Sequence, residues 1–105
     1  MENQEKYDLD FTPEFLADYK KLTKKNSILV KKFSKGLKLL ADNPQHNSLK
    51  SHKVDTLDNQ DVWSSWITGD IRVIWLYDQN RKLVIVLLET GSHSGSNKVY
   101  KKKSS

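Results

Sequence analysis

The chain has 105 residues, no cysteine, 30% charged residues and a formal net charge of +5. This length fits one domain, and Leu, Ile, Val and Phe together exceed a quarter of the residues, above the range of a disordered chain. The lack of cysteine excludes a disulfide framework and a Cys-ligated zinc site, and no apolar run approaches the roughly 20 residues of a membrane helix.

In chain order, Tyr7, Leu9 and Phe11 alternate with Asp8 and Asp10, the period of a short strand. Thr12 offers an N-cap, Pro13 fits the first helical position, and Glu14 suits the positive end of the helix dipole. Phe15, Tyr19 and Leu22 then fall at helical spacing, which predicts a first helix to about Lys25. Asn26 or Ser27 can cap a second helix, whose stripe is Leu29, Phe33, Leu37 and Leu40 and which Asn43-Pro44 ends. The short join predicts an antiparallel helical hairpin. After residue 47 the pattern turns to strands: a weak one over Leu49–Val54 and strong ones over Asp61–Thr68, Ile71–Asp78 and Leu83–Leu88. Gly69-Asp70 reads as a two-residue type II′ turn. The continuous apolar run Leu83–Leu88 reads as the central, most buried strand. The expected fold class is α+β, with the N-terminal strand and helical hairpin on one face of a four- to five-stranded, mainly antiparallel sheet. The expectation is a single domain over 1–105, with flexible ends at 1–6 and 101–105.

Both faces of such a sheet carry apolar side chains, because Ile71–Tyr77 and Leu83–Leu88 are apolar at odd and even positions alike. Two helices cover one face only. The other is either a groove for a partner or is covered by a chain terminus.

Charge is unevenly placed. Residues 1–19 hold one Lys and six acids, whereas residues 20–53 hold ten Lys and only Asp42. Residues 54–97 hold three cations and six acids, and four more Lys follow. A basic block of that density attracts polyanions, and Lys20, Lys21, Lys24, Lys25, Lys31, Lys32, Lys35, Lys50 and Lys53 are the candidate RNA or ribosome contacts. The alternative is a solvated helix face. The acidic, polar opening Met1-Glu2-Asn3-Gln4-Glu5 has no signal-peptide pattern, so the expectation is a cytoplasmic protein with no membrane association.

His46, His52 and His93 are not at metal-binding spacing, and no phosphate loop or serine-nucleophile motif occurs. His52 and His93 with Arg72, Asp70 and Tyr100 compose a set suited to metal-free phosphoryl transfer in RNA. One imidazole would take the 2′-OH proton and the other protonate the leaving 5′-oxygen, because imidazole titrates near neutrality. A guanidinium would fork onto the phosphate. No metal or other cofactor is expected. An arginine flanked by Ile71 and Val73 is more often a cross-strand ion-pair partner.

These residues carry a resemblance. Leu49…His52-Lys53, then Trp63 and Trp66-Ile67-Thr68-Gly69-Asp70-Ile71-Arg72-Val73-Ile74-Trp75, then Leu87-Leu88-Glu89-Thr90-Gly91-Ser92-His93-Ser94 resemble the RelE/ParE toxin superfamily, and within it the YafQ-like mRNA interferases. Phe15…Tyr19-Lys20-Lys21-Leu22 and Leu37…Leu40-Ala41-Asp42-Asn43-Pro44 are similar to that family's helical hairpin. The resemblance implies a RelE-like fold and a type II toxin. That toxin would be a ribosome-associated endoribonuclease that cuts mRNA without a metal, by 2′-OH attack on the adjacent phosphate, and so inhibits translation. It implies an acidic antitoxin partner encoded by the adjacent gene. His52 and His93 match the catalytic histidines, Asp70 the acidic member, Arg72 the strand arginine, and Tyr100 the late aromatic near the scissile nucleotide. Which imidazole is the base stays open. The alternatives are a ParE-like, non-catalytic DNA gyrase inhibitor and an RNA-binding module without catalysis.

Overall fold

The structure, a computed structural model, describes residues 6–92. The elements are β1 (Asp8–Phe11), α1 (Pro13–Thr23), α2 (Ser27–Asp42), a 3-10 turn (Asn47–Leu49), β2 (His52–Leu57), β3 (Gln60–Trp66), β4 (Ile71–Tyr77) and β5 (Val84–Ser92). They build one five-stranded sheet in the order β1-β5-β4-β3-β2. β1 runs parallel to β5, and every other pair is antiparallel. This is the α+β arrangement expected. No helix among the described residues is long and apolar enough to cross a membrane.

Thr12 makes the first corner. Its hydroxyl accepts from the Phe15 N–H (3.1 Å) as the α1 N-cap. The same hydroxyl donates to Leu87 O (2.8 Å), with Leu88 O at 3.1 Å. Leu88 is the extra residue of a β-bulge, because Trp75 pairs with Leu87 while Ile74 pairs with Glu89. One side chain thus caps a helix and seats it on the bulge. Asn26 caps α2 through a bond from the Leu29 N–H (3.0 Å). Tyr19 and Phe33 meet edge to face at 4.9 Å, joining the helices. Phe15, Phe33 and Leu40 pack with Leu49, Ile71, Val73, Trp75, Ile85 and Leu87 to make the core. Gly36 lets α2 come close to the β3–β4 connection: a Cβ there would lie 2.7 Å from Ile67 Cδ1.

A buried chain of hydroxyls ties the post-helix loop to the sheet. Trp75 Nε1–H donates to Ser65 Oγ (2.8 Å), and Ser51 Oγ donates to Pro44 O (2.6 Å). Ser51 and Ser65 lie 2.6 Å apart. With the Ser51 proton committed to the carbonyl, Ser65 must donate to Ser51, so each hydroxyl gives once and accepts once.

Several sequence expectations are corrected. The central strand is β4, not Leu83–Leu88, and six of its seven residues are buried. Its odd residues face the helices and its even residues the opposite face, so centrality explains why it is apolar in both phases. β5 starts at Val84, after Leu83 turns at φ 58°, and runs on to Ser92. Leu49 belongs to the 3-10 turn rather than to a strand, and β2 continues past Val54 to Leu57. Asp58 and Asn59, both at positive φ (50° and 65°), form the two-residue β2–β3 turn. The first helix stops at Thr23, and Lys25 turns left-handed at φ 56°. The β3–β4 connection is not a two-residue type II′ turn: Trp66 pairs with Arg72 and the Ile67 N–H bonds to Ile71 O (2.8 Å), leaving Thr68, Gly69 and Asp70 between.

The face away from the helices is not an open apolar patch at its centre. Val62, Ile74 and Leu76 are 2%, 2% and 7% exposed. The C-terminal segment offered as a cover lies outside the described residues.

Candidate functional site

The pairing register sorts that second face into rows. His52 pairs with Ser64, Ser64 with Ile74, and Ile74 with Glu89. One two-residue step along, Trp66 pairs with Arg72 and Arg72 with Gly91. Residues directly opposite one another share a face, so His52, Trp66 and Arg72 lie on one surface. From strand spacing and rise, the His52 and Arg72 Cα atoms are about 12 Å apart.

Arg72 is only 7% exposed. Its Nη1 donates to Thr68 O (3.0 Å) and Gly69 O (2.9 Å), the carbonyls of the connection that leads into its own strand. Thr68 shapes that connection by accepting from the Asp70 N–H (3.1 Å) and the Ile71 N–H (2.9 Å). The guanidinium carbon lies 4.3 Å from the centroid of the Trp66 ring, and Lys50 Nζ lies 5.6 Å from the same centroid. No carboxylate is within ion-pair distance of Arg72 among the described residues, so the cross-strand ion-pair alternative does not hold there. Burial pulls its pKa below the ordinary arginine value, and the nearby Asp70 charge opposes that fall. The group stays charged at neutral pH. A buried cation whose fork is only half used by carbonyls suits an anion.

Asp70 is exposed at the turn, and its Oδ2 accepts from Ser92 Oγ (2.8 Å). That bond ties the β3–β4 connection to the last described residue of β5. Thr90 supports the same end: its hydroxyl donates to Arg72 O (2.6 Å), and its N–H bonds to Asp18 of α1 (3.2 Å). His52 is exposed at the start of β2, and its Nδ1 lies 3.1 Å from Lys50 O. A carbonyl can only accept, so Nδ1 carries the proton in this bond and Nε2 is left as the acceptor. His93 and Tyr100 lie outside the described residues.

The structure does not gather the lysines into that face. Lys20, Lys21, Lys24, Lys25, Lys31, Lys32 and Lys35 are exposed on α1, α2 and the join between them, on the helical side of the sheet. None of them forms an ion pair among the described residues. Lys50 stands beside Trp66, and Lys53 pairs with Asp61 (3.5 Å). No group of three or more His, Asp or Glu among the described residues is placed to hold a metal ion.

No protein-family model matches the sequence, and no curated protein is similar to it. Solved structures do match. The archaeal RelE–RelB complex from Pyrococcus horikoshii aligns with a TM-score of 0.62 at 19% identity, over 81% of this chain and 92% of that one. The Escherichia coli DinJ–YafQ complex aligns at 0.64 and 18%, over 84% and 93%. The fold is that of the RelE and YafQ toxins. A YoeB/ParE toxin from Agrobacterium tumefaciens shares it, with a TM-score of 0.66 at 17% identity over 83% of this chain and 99% of that one.

Within this RelE-like fold, Trp66 and Thr68 as neighbours of the arginine, and Ser92 as the partner of Asp70, are absent from the sequence expectations. The signal was there in the register. A two-residue turn at Gly69-Asp70 would set Trp66 against Val73, on the core face. The observed connection is one residue longer and sets it against Arg72.

Proposed function

We propose that this chain is the toxin of a type II toxin–antitoxin system and acts as a ribosome-associated endoribonuclease on mRNA. The observation that carries the proposal is the surface shared by His52 and a buried Arg72 that has no carboxylate partner among the described residues. The fold shared with RelE and YafQ supports the toxin role. The antitoxin-bound state of those two proteins supports an antitoxin partner for this one, acidic to match its net charge of +5 and encoded beside it.

The chemistry follows from the side chains. His52 Nε2 takes the 2′-OH proton, because its Nδ1 proton is held by Lys50 O. The 2′-oxygen attacks the adjacent phosphorus while the bond from phosphorus to the 5′-oxygen breaks. His93 returns a proton to that oxygen. The products are a 2′,3′-cyclic phosphate and a 5′-hydroxyl. Arg72 offsets the charge that builds on the phosphate oxygens, and Asp70 holds the turn at Ser92, the residue bonded to His93. Tyr100 stacks on a base next to the cut. The reading requires His93 to reach the Arg72 face, and Gly91, two residues before it, pairs with Arg72. Base and acid each contribute about 10²–10⁴-fold.

The test is transcript cleavage on translating ribosomes. Cleavage with cyclic-phosphate ends, abolished by His93→Ala, is expected. Growth arrest of equal strength from wild type and His93→Ala, with no cleavage, would transfer the protein to the ParE-like, gyrase-inhibiting reading.

A further inference from the structure

That mechanism uses Arg72 but not the aromatic ring and second cation beside it. Trp66 pairs with Arg72, and its ring centroid lies 4.3 Å from the Arg72 guanidinium carbon and 5.6 Å from Lys50 Nζ. Lys50 precedes β2 and Arg72 is on β4, and two like charges that flank the same residue repel each other. Here each is offered the negative π-face of the same ring, which offsets part of that repulsion. The two are fixed differently. Arg72 is anchored by Thr68 O and Gly69 O and is 7% exposed, whereas Lys50 is exposed. Lys50 also sits at φ 49°, a left-handed turn that ends the 3-10 segment just before β2.

We infer that Trp66 is a positioning residue that holds Lys50 and Arg72 apart as a two-point clamp for linked phosphates. The ligand class is a polyanion with two neighbouring phosphate groups, and a single phosphate fills one point only. If the ribonuclease reading holds, the occupant is a single-stranded RNA segment with phosphates on both sides of the reacting ribose. The clamp itself rests only on the Trp66 ring and its two cations.

The test uses the whole chain and reads binding, not cleavage. Inorganic pyrophosphate and orthophosphate are titrated by calorimetry against wild type, Trp66→Leu, Trp66→Phe and Lys50→Met. The Arg72 side-chain Nε–H is followed by NMR. Wild type is expected to bind pyrophosphate more tightly than orthophosphate. Trp66→Leu is expected to lose roughly tenfold in pyrophosphate affinity, between the size of an exposed and a desolvated cation–π contact, and to move the Arg72 Nε–H resonance. Trp66→Phe, which keeps a ring face, restores most of both. Lys50→Met, a change at an exposed side chain that leaves folding intact, lowers pyrophosphate affinity and leaves orthophosphate binding unchanged. Equal affinity for the two anions in wild type, or pyrophosphate binding unaltered by both Trp66→Leu and Lys50→Met, would overturn the clamp. A separate titration with a trinucleotide blocked by 2′-O-methylation tests the occupant. If wild type ignores it while the pyrophosphate results stand, the clamp survives and the RNA reading falls.

Discussion

His52 and Arg72 illustrate opposite costs of placing a proposed site on a sheet surface. His52 is exposed, and its one side-chain bond among the described residues is to Lys50 O, so on the proposed reading its loss removes chemistry and little else. His52→Gln is expected to lower transcript cleavage by about 10²–10⁴-fold and to shift stability by less than about 0.5 kcal/mol; cleavage assays paired with thermal melts check this. Arg72 is nearly buried and holds two carbonyls, so it carries structure as well as charge. Arg72→Lys keeps the cation but loses the planar fork. It is expected to lose cleavage and about 1–3 kcal/mol of stability together, measurable in urea unfolding. Tyr77 gives a pH signature of its own. Burial lifts its phenol above the ordinary value, against the opposing bond from Gln45 Nε2 (3.1 Å). A raised value in the folded state means a contribution fully present below the ordinary tyrosine pKa and lost as pH rises through the folded one. Stability should therefore fall above about pH 10, and Tyr77→Phe should remove that part of the fall. Melts of both proteins across the alkaline range decide it.

At the scale of elements, two joints hold the site in place. Thr12 ends β1, caps α1 and bonds to the bulge of β5. The Pro44–Ser51–Ser65–Trp75 chain fixes the residue that precedes His52. Ser65→Ala leaves the buried Trp75 N–H and the Ser51 oxygen without partners. It should cost about 1–3 kcal/mol and mobilise β2, which hydrogen exchange at residues 52–57 would report. These joints also show what a sequence hides. The Thr12-Pro13-Glu14 cap and the helical stripes are local signals, and the structure follows them. Which strand is central is not local. Leu83–Leu88 reads as more continuously apolar than Ile71–Tyr77, but β5 gives one neighbour to β1 and one to β4 while β4 lies in the middle. The face of Trp66 depends on one residue of loop length, because a side-chain period of two converts that residue into a change of face. The Thr68 hydroxyl, which bonds to the Asp70 and Ile71 N–H groups, sets that length. His52, Asp70 and Arg72 are legible from residue chemistry together with the resemblance, and they share one end of the sheet. Lys50 joined them for a reason the sequence does not display, its position opposite Trp66.

For the whole molecule, the sheet separates two charged features. The lysines of α1 and α2 are on the helical side, and the cations of the proposed site are on the other. A substrate strand at the site therefore does not touch the helical lysines, which are free to meet a larger polyanion such as a ribosome. Reversing Lys20, Lys21, Lys31 and Lys35 to Glu is expected to weaken ribosome association and flatten its dependence on salt. Cleavage of a short free RNA, if any is measurable, should change far less. Co-sedimentation at several ionic strengths separates the two effects.

The proposed activity itself is tested most directly by mapping transcript ends on translating ribosomes with wild type, His52→Gln and His93→Ala, each confirmed as folded by circular dichroism. Wild type is expected to leave 2′,3′-cyclic phosphate ends, and each variant to lose at least about a hundredfold in cleavage. Equal cleavage by all three proteins, or none by the wild type, would contradict it.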